Sequence, residues 1–146
     1  MAILLAILVF AAGMGLGLQP TLNARLSAAT GTFWAALIST GMSAIIIAMI
    51  VAVLRLPIPQ ADNLRDVPRW AWIGGIVGAV YVAAALAAIG RLGATAVVVL
   101  AISGQFFAAT VADHFGLFDL IRRPLDTARV VGLAAIFGGV LLIVSR

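Results

Sequence analysis

The sequence predicts an all-α integral membrane protein of five transmembrane helices, and three observations carry that expectation. Of its 146 residues, 64% are hydrophobic and 10% are charged, with a mean hydropathy of +1.23, far too little polar surface for a soluble domain of this size. Apolar runs of bilayer length recur five times, and short segments holding most of the Arg and Pro residues separate them. One of those runs, Gly93 to Gly116, carries no charge before Asp113 yet holds Gln105 near its middle. An amide at that depth is costly in hydrocarbon, so Gln105 is expected to face other helices or a water-filled cavity.

The expected spans are 2–20, 32–54, 70–89, 93–116 and 127–144, which make residues 1–146 one membrane domain with no room for a soluble one. The first run has no Lys or Arg ahead of it, which sets it apart from a signal peptide and makes it a retained span. It ends at Gln19-Pro20, where the proline should kink the helix and free a carbonyl. Gln19 and Asn23 fall on one side if the helix continues. Gly13, Gly15 and Gly17 leave much of its second half nearly free of side chains, which suits close approach of another backbone. The second span opens with Trp34 as an interfacial anchor and carries Ser39, Thr40 and Ser43, hydroxyls that in membrane helices often bond back to their own helix. Leu56 to Arg69 is the one long polar linker, and Pro57, Pro59 and Pro68 rule out a regular helix across it. Trp70 and Trp72 open the third span, Gly74 and Gly78 give it a small-residue face, and Tyr81 falls near mid-depth. Gly90 to Gly93 reads as a tight turn into the fourth span. The fifth carries Ala134, Ala135, Gly138 and Gly139, two overlapping small-residue pairs expected to form a dimer contact.

All nine basic residues are Arg, and the net charge is +4. They lie singly or in pairs between apolar runs, a juxtamembrane pattern with no basic face for nucleic acid. With no Cys and one His, there is neither a thiolate metal site nor a cluster for a catalytic metal, and no catalytic residue or cofactor is expected. The side bearing Met1 receives Arg55, Arg65, Arg69, Arg122, Arg123 and Arg129, and the other receives Arg25, Arg91 and Arg146. That leans toward a cytoplasmic N-terminus. A weakly biased unit with an odd number of spans can insert either way up, or pair with a sister chain of opposite bias, and two such units form an inverted repeat around a midplane cavity.

Gly17-Leu18-Gln19-Pro20 with Asn23, the run Trp70-Ala71-Trp72-Ile73-Gly74-Gly75, Gly104-Gln105 with Asp113-His114-Phe115-Gly116, and Arg123-Pro124 with Arg129 and Gly132 occur in an order and spacing that resembles the YdcZ-type family of small inner-membrane transporters in the drug/metabolite transporter superfamily. The resemblance covers essentially the whole chain. It implies half of an inverted-repeat transporter in a bacterial inner membrane, related to longer proteins that carry two such halves. Small multidrug transporters place a carboxylate deep in their first span. Here that span has none, so their proton-for-cation exchange has no residue to rest on.

The residues themselves leave several roles open. Gln105, Tyr81, Ser103, Ser43 and Ser39 are candidates for a small-molecule site, and Gln105 could hold a polar neutral or zwitterionic ligand or tie two helices together. Asp113 and His114 are candidates for proton coupling, although Asp113 could equally sit at the interface beside Arg122 or Arg129. Gln19, Asn23 and Arg91 are candidate gates. Beyond the bilayer, the expected partners are a small-molecule substrate and an antiparallel second copy or a sister chain, with no nucleic acid. The function expected is transport by alternating access; the alternative is a non-transporting scaffold or accessory subunit, which has no need of polar groups at mid-depth.

Overall fold

The computed structural model describes residues 1–145; Arg146, counted above on the side opposite Met1, lies outside the described residues. Every regular element is helical, with no strand among the described residues. The elements are α1 (Ala2–Thr30), α2 (Thr32–Val53), the short α3 (Ala61–Arg65), α4 (Ile73–Phe115) and α5 (Thr127–Val144). One-turn 3-10 segments lie at Arg69–Trp72 and Leu117–Asp119. Four stretches are long and apolar enough to cross a membrane, Ile3–Thr30, Thr32–Val53, Arg69–Phe115 and Thr127–Val144.

The first helix is longer than expected. It passes through Pro20 and stops only at Gly31. Proline removes one helical hydrogen bond, but Thr21 to Thr30 contains no further Gly or Pro, and neighbouring helices make such a loss tolerable inside a membrane protein. The turn expected at Gly90 to Gly93 narrows to its last residue. Helix continues through Leu92, and the backbone departs from helical values at Gly93 alone, with φ 79 and ψ 160. As one straight rod the 43 residues of α4 would measure about 65 Å, twice the hydrocarbon thickness. The break divides them into stretches 73–92 and 94–115, each of bilayer length. The linker behaves as its prolines require, with only the single turn of α3 between Pro59 and Pro68.

The chain forms two compact units, Met1–Gly90 and Arg91–Arg146. In the first, Gly31 adopts φ 86 and ψ 158, a region essentially closed to residues with a Cβ, and reverses α1 onto α2. Two alanines of α2, Ala35 and Ala36, together with Leu86 of α4 form the core, against which Leu26, Val82 and Ala83 pack. Alanine at that position lets the backbones approach closely, the usual basis of helix association in lipid. The end of α2 is closed by paired bonds from Arg55 N–H to the Ala52 carbonyl and from Leu56 N–H to the Val51 carbonyl, both 3.1 Å. Arg55 takes the left-handed position, φ 51, that glycine usually fills.

In the second unit, the 94–115 stretch lies beside α5, with the Phe107 and Phe137 rings edge to face at 6.2 Å. Asp126 caps α5 by accepting the Arg129 N–H at 2.8 Å. Asp126→Ala is expected to cost about 1 kcal/mol, the usual value of an N-cap, measured by titrating the folded protein with denaturing detergent. An unchanged midpoint would show that the cap contributes nothing there.

Candidate functional site

In the first unit, Gln19, Pro20 and Asn23 of α1 meet Tyr81, Val82, Ala85 and Leu86 of α4 around a small recess. Its formation depends on α1 continuing past Pro20. With the helix intact, Gln19 and Asn23 are one turn apart on one face. Gln19 lies about 16 Å from the helix end at Thr30. Asn23 is fixed further by its own bond, donating from Nδ2 to the Ser39 hydroxyl of α2 at 2.8 Å. The recess holds about 10 Å³, the room of one water molecule. Amide and phenol groups line its polar side, and none of its lining residues is charged.

The hydroxyls singled out in the sequence are mostly engaged within their own helices. Ser43 donates to the Ser39 carbonyl at 3.2 Å, Thr40 to the Ala36 carbonyl at 2.8 Å and Ser103 to the Leu100 carbonyl at 2.9 Å. Ser39 is the one that reaches another helix, through Asn23. Ser103 is only 4% exposed, whereas Gln105 is exposed. Two residues apart at 3.6 per turn they point about 200° apart, so they do not share a face of their helix. Tyr81 is half-buried, and Arg91 is exposed with no ion pair among the described residues.

Asp113 and His114 are brought to the segment that follows them. The Asp113 carboxylate lies 3.7 Å from the Arg129 guanidinium, with both side chains about one-third exposed. The Asp113 carbonyl accepts the Arg123 N–H at 2.7 Å. Arg122 Nε donates to the His114 carbonyl at 3.1 Å, and the His114 ring accepts the Leu125 N–H at Nδ1, also 3.1 Å. These bonds satisfy carbonyls that a helix C-terminus leaves without partners. No cluster of metal-binding side chains occurs among the described residues.

Of the expected dimer residues, Ala135 and Gly139 line a groove with Val99, Ile102, Ile136, Val140 and Ile143 inside the second unit. Ala134 and Gly138 are exposed. The sequence names Gln19 and Asn23 as candidate gates and Tyr81 as a candidate for a small-molecule site, and one recess brings the three together. The sequence leaves open whether the helix continues past Pro20; with it continuous, the two amides share the face that meets Tyr81.

No curated protein and no solved structure matches the chain. A family model described as "Putative inner membrane exporter, YdcZ" matches residues 4–142. Its near-complete coverage agrees with a multi-pass helical protein, and the chain belongs to the YdcZ family of inner-membrane proteins.

Proposed function

We propose that this chain is one half of a small-molecule exporter that works by alternating access as a dimer of five-span units of opposite orientation. The observation that carries the reading is the convergence of Gln19, Asn23 and Tyr81, from two helices, on one recess whose other lining is apolar. Apolar side chains would hold these helices together with less desolvation, so polar groups at that depth point to a solute. Their chemistry, with donors and acceptors but no charge, suits a polar neutral or zwitterionic substrate. A recess of about 10 Å³ excludes any such solute in this conformation, so passage requires the helices to separate and admit it from one side at a time. Four helical stretches are long and apolar enough to cross a membrane, and five spans follow if the parts of α4 on either side of the break at Gly93, each of bilayer length, cross separately. The arginine distribution, six against three, is weak enough to allow both orientations.

The scaffold reading has one observation of its own. The Asn23–Ser39 bond ties α1 to α2 and gives a polar side chain a purely structural task.

Because the chain has no Cys, single Gln19→Cys, Tyr81→Cys and Gln105→Cys variants separate the two readings. Each is expected to react with a small, charged, water-soluble thiol reagent in folded protein, while Ala35→Cys, at a position with 0% exposure, should not. Absence of labelling at Gln19 and Tyr81 would mean a dry recess and would favour the scaffold.

A further inference from the structure

We propose that His114 is a proton-operated latch for the segment joining the 94–115 helical stretch to α5. The ring accepts the Leu125 N–H at Nδ1 over 3.1 Å, which requires a lone pair on that nitrogen and places the ring proton on Nε2. A second proton can bind only at Nδ1. It converts the acceptor into a donor pointed at another donor, so the bond to Leu125 cannot survive protonation.

The charged groups on the neighbouring elements are of both signs. On its own helix His114 has Asp113 beside it; the joining segment contributes Asp119, Arg122 and Arg123; α5 contributes its cap Asp126 and Arg129. Asp113 is paired with Arg129, and Asp126 accepts the Arg129 N–H. Arg122 Nε donates to the carbonyl of His114 itself.

The segment is also poised to release. Phe118 and Asp119 are held at φ 59 and φ 60, left-handed values that cost residues other than glycine energy. At Gly116, φ 64, an added Cβ would lie 3.2 Å from the Leu120 carbonyl oxygen and 3.3 Å from Arg122 Cβ, so the segment is folded tightly onto the helix end. The latch is closed when His114 is neutral and opens when Nδ1 takes a proton. It is independent of the transport reading, because it requires neither a substrate nor a dimer.

The test is amide hydrogen exchange of the full chain in lipid nanodiscs at about pH 8 and about pH 5, on either side of the range in which histidine charge changes, with rates corrected for intrinsic exchange. Protection of the Leu125 amide should fall about tenfold at the lower pH, the equivalent of one lost hydrogen bond. The Val130 amide, bonded to the Asp126 carbonyl within α5, should keep its protection. In His114→Asn, whose Oδ1 can stand where Nδ1 stood but does not titrate, Leu125 should stay protected at both pH values. In His114→Phe it should be unprotected at both. Equal protection of Leu125 at the two pH values in the wild type would overturn the proposal, as would a pH-dependent loss that persists in His114→Asn.

Discussion

Gly31→Val is expected to separate the first helical hairpin. At φ 86 and ψ 158 the backbone occupies a region open essentially to glycine, and holding another residue there costs about 1–3 kcal/mol. A β-branched side chain is worse placed than most. An added Cβ at this position meets nothing within 4 Å, so the penalty is one of backbone conformation and repacking cannot relieve it. The chain's remaining option is to change the dihedral angles, which swings α2 away from α1. That would pull Ala35 and Ala36 from Leu86 and break the Asn23–Ser39 bond, so the recess around Gln19 and Tyr81 would be lost with the hairpin. Gly41→Val is the matched comparison, because Gly41 is inside α2 at helical angles and also has open space around it. Thermal unfolding in mild detergent, followed by size exclusion, should show Gly31→Val largely unfolded where Gly41→Val behaves as wild type. If the two variants melt together, Gly31 does not set the turn.

The same pair of angles explains what could and could not be read from the sequence. The spans expected at 32–54 and 127–144 correspond to Thr32–Val53 and Thr127–Val144, because in each case a break residue and an apolar run agree. They disagreed at Pro20 and at Gly90 to Gly93. A kink at Pro20 bounds the span expected at 2–20, but the residues after it carry the helix on to Gly31. At the other site two glycines were available and only Gly93 is used, because Arg91 and Leu92 between them are good helix formers. In the site, cost in lipid singles out Gln105 and Tyr81, and Gln19 and Asn23 stand out as amides flanking the proline. Their partners were not legible, since a bond between residues 16 apart, such as Asn23 to Ser39, depends on how two helices cross. His114 was legible as a titratable group and not as an acceptor, because Leu125 reaches it only through the left-handed turns at Gly116, Phe118 and Asp119.

Gly138→Leu is expected to convert the dimer proposed above into monomers. A Cβ at Gly138 or at Gly139 would meet no atom within 4 Å, so the small side chains are not explained by close packing within the chain. Small residues at helix contacts in lipid let two backbones approach, and a leucine there holds them apart. The two glycines differ in a way that makes the experiment specific. Gly139 lines the groove beside Val99 and Ile102 in its own unit, whereas Gly138 is on the exposed side of α5 with Ala134. Gly138→Leu should therefore act on a partner alone, leaving helix content and the Phe107–Phe137 contact in place while the species seen by cross-linking and by light scattering falls to one chain. Gly139→Leu should weaken the dimer less and can be accommodated in its groove. A Gly138→Leu protein that retains the wild-type assembly would place the contact on another helix, and Gly13, Gly15 and Gly17 of α1, which also have nothing within 4 Å of an added Cβ, would then be the face to substitute.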